Sequence, residues 1–150
     1  MRVVVQRVNK SSVTVNNTVT GSIGVGLLVL VGFEEEDSEG DIDWMVNKLC
    51  QLRVFNDEDG VMNLSISDIN GEFLVVSQFT LHAKTKKGNR PSYIKAAHPD
   101  LAIPLYQEFL VRLRNHSQLK VAEGEFGAKM VVSLENDGPV TIFIDTKNKE

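Results

Sequence analysis

The chain has one cysteine among its 150 residues, Cys50, so no internal disulfide can brace it. Its longest apolar run, Val25 to Phe33, is broken by glycines and falls far short of the roughly 20 apolar residues that a membrane-spanning helix needs. The first residues, Met1-Arg2-Val3-Val4-Val5-Gln6-Arg7, form too short and too polar a stretch for a secretory signal. Together these absences lead us to expect a protein of the reducing cytoplasm with no membrane partner. An excess of positive charge is also missing. Lys and Arg number 16 against 20 Asp and Glu, a net charge of −4, which argues against coating nucleic acid by bulk electrostatics. No DNA partner is expected, and any RNA contact has to be local.

Histidine is scarce as well. His82, His98 and His116 lack ligand spacing, and no cysteine or carboxylate cluster joins them, so neither a metal nor another cofactor is expected. There is no Gly-x-Ser-x-Gly elbow and no convincing triad, which disfavours a generic serine esterase. Cys50 lies beside a helical apolar stripe with no partnering histidine, and it reads as a packing residue.

What is present fits one α/β (mixed α+β) domain spanning residues 1–150, long enough to bury roughly 70% of its unfolded surface without a staple. Arg2 to Val8 and Ser12 to Val15 are rich in β-branched residues, and Asn16-Asn17 supplies turn chemistry. Val25 to Val31 lacks polar alternation, which suggests a strand buried on both faces. From Ser38, apolar Ile42, Met45, Val46 and Leu49 recur at helical spacing, with Ser38 as cap and Glu39, Asp41 and Asp43 at the positive end of the dipole.

Asn56-Asp57-Glu58-Asp59-Gly60 reads as a hairpin turn. It superficially resembles a calcium loop, but lacks the closing Glu and the flanking helix pair. Asn70-Gly71 is a hairpin dipeptide leading into a strand from Glu72 to Gln78. A long connection, 79 to 97, precedes a second helix between Pro99 and His116 whose start is blurred by Pro104. Strands at Leu119 to Ala122, Lys129 to Glu135 and Val140 to Thr146 complete the chain, with Asn136-Asp137-Gly138-Pro139 as a turn between the last two.

Charge is segregated locally: Glu34-Glu35-Glu36-Asp37 reads as a solvated acidic stretch, while Lys84, Lys86, Lys87 and Arg90 gather without an intervening acid. Two further segments carry hydroxyls, amides and glycine where strands end or meet: Ser77-Gln78-Phe79-Thr80 and Asn136-Asp137-Gly138-Pro139-Val140-Thr141. Taken singly, capping and turn formation explain each of them, because neither supplies an acid, a base and a nucleophile together.

In combination, Ser77-Gln78-Phe79-Thr80-Leu81 and Asn136-Asp137-Gly138-Pro139-Val140-Thr141 resemble the two signature motifs of the D-aminoacyl-tRNA deacylases. Gln6-Arg7-Val8, Ser12-Val13-Thr14-Val15, Gly26-Leu27-Leu28-Val29-Leu30, Met62-Asn63-Leu64 and Arg90-Pro91-Ser92 agree in order and spacing, and only Lys147 to Glu150 has no counterpart. Tyr93, where many relatives carry Phe, is a departure outside both motifs. The resemblance implies a barrel-like β-sheet arrangement with about two main helices, a homodimer, and the 3′ acceptor end of aminoacylated tRNA as the substrate partner.

It further implies that Ser77, Gln78, Phe79 and Thr80 line the ester. Gly138 and Pro139, joined by a cis peptide and reaching from the other subunit, would exclude L side chains, with Asn136, Thr141 and Arg7 shaping that part of the site. The missing general base is supplied, on this reading, by the 2′-hydroxyl of the tRNA. Lys84, Lys86, Lys87 and Arg90 would grip acceptor-end phosphates. Two other readings stay open from the sequence: a non-catalytic RNA-binding dimer of the same fold, and a sister deacylase with a trans Gly-Pro and relaxed chirality.

Overall fold

The structure is a computed structural model describing Met1–Glu150. The N-terminal half of the chain builds a sheet centre. Strand β1 (Arg2–Val15) turns at Asn16-Asn17, both in the left-handed region at φ 48° and 62°, into β2 (Thr18–Ile23). That turn is the one the asparagine pair leads one to expect, since Asn tolerates positive φ better than other side-chain-bearing residues. Strand β3 (Gly26–Gly32) then pairs antiparallel with the first half of β1.

Helix α1 (Glu39–Gln51) follows, its start fixed by the Ser38 N–H donating to Asp41 Oδ2 at 2.9 Å. Ile42, Met45, Val46 and Leu49 are buried, as the periodicity predicts. The short pair β4 (Phe55–Asn56) and β5 (Met62–Leu64) forms the expected hairpin around the acidic turn. Strand β6 (Glu72–Ser77) pairs parallel with β3, and β7 (Val121–Glu123) pairs parallel with β6. The sheet order is β2-β1-β3-β6-β7, and β2 curls round to pack against β7, giving a nearly closed, barrel-like sheet.

Alternate residues of β3 and β6 point to opposite faces, and both faces are covered. Leu27, Val29, Val31, Phe73 and Val75 join the helices in a core of 24 buried residues. Leu28, Leu74 and Val76 meet Val8, Val13, Val15 and Ile23 in a second cluster inside the curled sheet. Burial on both faces is what the unalternating run of β3 predicts. Helix α2 (Pro99–Ser117) lies beside α1 and is tied to β6 by the Tyr106 hydroxyl donating to the Val75 carbonyl at 3.2 Å. Pro104 sits inside this helix, close enough to its start that only one backbone hydrogen bond near the first turn is forgone.

Three expectations need correcting. Asn136 to Pro139 is not a turn between two strands: β8 (Val131–Asp145) runs continuously along β1. Since β1 holds β8 on both sides of this segment, the extra residues of β8 are extruded sideways instead of reversing the chain. Asn70-Gly71 closes no hairpin, because β6 joins β3 in parallel and the turn only redirects the chain into it. The long connection 79 to 97 is more ordered than a plain loop, holding a 3-10 turn, Phe79–His82, and a bridge between Lys84 and Ser92. Finally, the acidic stretch is not simply solvated. Asp37 is buried against the amino group of Met1, which also donates to Thr146 Oγ1 at 3.2 Å.

Candidate active site

Strand β6 ends where the first motif begins. The Gln78 N–H continues the ladder to the Val31 carbonyl at 2.7 Å, and then the chain tightens into the 3-10 turn, closed by Leu81 N–H donating to the Gln78 carbonyl at 3.2 Å and Ala83 N–H to the Thr80 carbonyl at 3.0 Å. The Gln78 side-chain amide donates to Thr80 Oγ1 at 2.5 Å, which fixes both side chains relative to the turn. A turn of this kind has no internal partner for its first N–H groups. The amides of Phe79 and Thr80 therefore remain without a partner inside the turn.

Beside the turn opens a cavity of about 590 Å³. Its lining includes Ser77, Gln78 and Phe79 from the turn, Ala96, Ala97 and Ala102 around the start of α2, and Phe126, Ala128, Met130 and Val132 from the segment that leads into β8. Small and apolar residues predominate, so polar recognition inside it has to come from the turn. At its mouth the rings of Phe79 and Tyr93 meet edge to face, centroids 5.1 Å apart, and both are exposed. His98, one of the three histidines without ligand spacing, also lines this cavity. Lys84, Lys86, Lys87 and Arg90 are all exposed on the small hairpin between Lys84 and Ser92, next in sequence to Tyr93.

The second motif lies elsewhere. Between Gln6 and Val8 there is one residue on β1, while their partners Thr141 and Asn136 enclose four on β8, so Asp137 to Val140 bulge out of the strand opposite Arg7. The Asn136 side-chain amide closes the neck of the bulge, donating to the Val140 carbonyl at 3.1 Å and reaching Thr141 Oγ1 at 3.4 Å. Gly138 and Pro139 form its exposed tip, joined by a cis peptide, with Gly138 at φ 112°.

Arg7 supports this tip from below. It is buried, and its Nη1 donates to the Val54 carbonyl at 2.6 Å and reaches Asn56 Oδ1 at 3.3 Å. Its Nε stands 2.8 Å from Asp137 Oδ2, off the N–H direction, which makes the contact an ion pair without a hydrogen bond.

Ser77, Gln78 and Phe79 thus share one cavity with Thr80 locked to it, and Asn136, Gly138, Pro139, Thr141 and Arg7 form a separate group. Neither Gly138 nor Pro139 lines the cavity. The start of β8 does reach the cavity through Val132, but the tip six residues further along that strand is not part of its lining. Sequence reasoning missed Asp137 and Asn56 as the partners of Arg7. An acid beside Gly138 and a base on β1 offered a hint, but their register was hidden by the bulge.

No group of three or more His, Cys, Asp or Glu side chains is arranged to hold a metal. No helix is long and apolar enough to cross a membrane. Cys50 is buried, and burial pushes its thiol up to about 11, consistent with packing instead of nucleophilic chemistry.

A family model described as D-Tyr-tRNA(Tyr) deacylase matches residues 4–145. Proteins named D-aminoacyl-tRNA deacylase from Flavobacterium psychrophilum and Bacteroides thetaiotaomicron are 59% and 58% identical to the chain over 150 residues, covering each chain completely. A solved structure described as c-Myc DNA Unwinding Element Binding Protein superposes with a TM-score of 0.91 at 42% identity, over 97% of this chain and 98% of that one. Another, of a probable eukaryotic D-amino acid tRNA deacylase, gives a TM-score of 0.81 at 20% identity over 95% and 97% of the two chains, a likeness of fold.

Proposed function

The chain belongs to the D-Tyr-tRNA(Tyr) deacylase family, and from that premise we infer that it is a D-aminoacyl-tRNA deacylase, a hydrolase of the ester between a D-amino acid and tRNA. Its task is proofreading in translation, in the cytoplasm. The observation that carries the reading is the cavity at the end of β6, lined by Ser77, Gln78 and Phe79, in which the one histidine, His98, is paired with Asp100 and hydrogen-bonded to none of the hydroxyls of the turn.

Such a site works by positioning and by electrostatics. Water attacks the ester carbonyl, the oxyanion is met by the Gln78, Phe79 and Thr80 segment, and the ribose 3′-oxygen leaves. Removing one donor of this kind typically costs about 100- to 1,000-fold in rate. The adjacent 2′-hydroxyl of the terminal ribose assists the attack, which is why the protein needs no base of its own. Thr80, bound by Gln78 and without a partnered base, is a positioning group and not a nucleophile.

Chiral selection belongs to Gly138 and Pro139, whose carbonyls hold the substrate amino group and leave no room for an L side chain. Glycine, lacking a side chain, passes the same filter and is also removed from tRNA. The tip that carries them is exposed and takes no part in lining the cavity of its own chain. In addition, β8 is an edge strand with Val131, Leu134 and Phe143 exposed, an edge that proteins ordinarily cover. Both features support a homodimer in which each tip enters the cavity of the partner subunit. Lys84, Lys86, Lys87 and Arg90 then face the phosphates of the acceptor end.

Hydrolysis of D-Tyr-tRNA ending in 2′-deoxyadenosine tests the mechanism. A loss of about 100-fold or more in kcat against the ribose form is expected, and equal rates would refute the assisted attack.

A further inference from the structure

Beneath the 3-10 turn lies a histidine that the hydrolytic reading does not use. His82 is two residues beyond Thr80 and has no exposed surface. Neither of its ring nitrogens has a hydrogen-bond partner. An apolar side chain would fill such a place at lower cost. The ring packs under Gly32, where an added Cβ would come 3.1 Å from the imidazole Cδ2 and 2.6 Å from the Gln78 carbonyl oxygen. Gly32 thus lies between the histidine and the residue that begins the turn, with no room for a side chain against either.

The charged groups around the ring come from three other elements. From the loop after β3, Glu34 Oε2 stands 3.9 Å from His82 Nδ1. From the start of β1, the Met1 ammonium and the Arg2 guanidinium oppose a positive imidazole. Behind them, Asp37 pairs with Met1, and Asp145 of β8 pairs with Arg2 Nε at 2.9 Å. Arg2 Nη1 also donates to the Leu81 carbonyl at 3.0 Å, so the turn is gripped next to the ring.

Burial is the larger influence and holds the imidazole below its ordinary value. Glu34 and the Gly32 carbonyl, which is close but outside hydrogen-bond geometry, favour the charged form. The ring is neutral at pH 7, with the Glu34 carboxylate 3.9 Å from Nδ1 as the nearest acid.

Resting on the deacylase reading, we propose that His82 is a positioning residue: neutral, it keeps the Gln78–Thr80 turn aligned with the ester. On gaining a proton it swings Nδ1 toward Glu34 and draws the turn out of line, lowering kcat while tRNA binding persists. Two measurements test this. The first is the pH profile of kcat and KM for D-Tyr-tRNA between pH 5 and 8. The wild type is expected to lose kcat on the acid side, approaching about tenfold per pH unit, with KM changed less than about threefold. His82→Leu is expected to lack that acid limb whatever its plateau, and Glu34→Gln to shift the limb to lower pH. An acid limb unchanged in folded His82→Leu would overturn the proposal.

The second needs no catalysis and uses the wild-type chain: NMR titration of the His82 ring alongside the Gln78 side-chain amide. The two are expected to titrate with one midpoint. A Gln78 amide that ignores the titration of the ring would overturn the proposal even if deacylation itself were never observed, so the two readings fail separately.

Discussion

Adding one methyl group at Gly138 tests whether the β8 bulge is held as tightly as its contacts imply. In Gly138→Ala the new Cβ meets Arg7 Nη2 at 2.8 Å and Val140 Cγ2 at 3.0 Å, on a backbone at φ 112° that L residues rarely adopt. Holding a side-chain-bearing residue there costs of order 1–3 kcal/mol. Arg7 is the far end of a long side chain, yet it cannot step aside freely, because its Nη1 is bound to the Val54 carbonyl at 2.6 Å in a buried site. Breaking that bond leaves a buried carbonyl unpaired, at roughly 1–3 kcal/mol.

If the tip stays in place, the variant therefore loses roughly 2–6 kcal/mol, the sum of those two ranges. At roughly 2–4 °C per kcal/mol for a chain of this size, its melting temperature falls by at least about 4 °C. If the tip yields instead, it has to open from 2.8 Å to an ordinary contact of 3.4 Å, a shift of about 0.6 Å at the residue proposed to hold the substrate amino group. A misplacement of about 1 Å can cost 100-fold, so kcat/KM for D-Tyr-tRNA falls on the order of 10- to 100-fold. Thermal unfolding and deacylation assays on the same preparation decide between the two branches. Unchanged melting together with unchanged D-Tyr-tRNA hydrolysis would refute the argument.

Further outcomes follow from the same structure. Arg7→Met removes the ion pair to Asp137 and the bond to Val54, and should lower stability by about 2–3 kcal/mol in urea unfolding while narrowing the preference for D over L esters. Replacing Lys84, Lys86, Lys87 and Arg90 together by Ala should flatten the salt dependence of tRNA binding, by up to about 0.9 in the log-log slope for each phosphate left without its cation. A slope equal to the wild type's would remove the hairpin from the interface. Cys50, with its thiol pushed up to about 11 from the ordinary 9.0, stays protonated in the fold after it would ionise in the unfolded chain. Its contribution to stability is whole below pH 9 and is lost as pH rises from 9 to about 11. Urea unfolding across that window should show a shallower decline in Cys50→Ala.

Much of this fold is written locally. The β-branched runs, the Asn16-Asn17 turn, the Ser38 cap and the three- and four-residue spacing of Ile42, Met45, Val46 and Leu49 each act within a few residues, and all appear where the sequence puts them. What stayed hidden depends on partners distant in the chain. Asn136 to Pro139 has the chemistry of a turn, but pairing of β8 with both halves of β1 keeps the strand running and turns the surplus residues into a bulge.

The same holds for His82, one of three histidines whose spacing in the sequence carries no signal. Its burial depends on the approach of Gly32 and the 3-10 turn, and no local pattern encodes that. Ser77, Gln78 and Phe79 were legible as a group because they are contiguous. The cavity walls at Ala96, Ala97, Phe126 and Met130 were not, because segments far apart in the chain bring them together.

The central claim is that the exposed Gly138-Pro139 tip selects chirality at a cavity lined by Ser77, Gln78 and Phe79. The most direct test is parallel hydrolysis of D-Tyr-tRNA, L-Tyr-tRNA and Gly-tRNA by the wild type and by Pro139→Ala. Rapid loss of the D and glycyl esters alone is expected, with selectivity or rate damaged in the variant. Hydrolysis of L-Tyr-tRNA at a comparable rate, or no hydrolysis of any ester by folded protein, would contradict it.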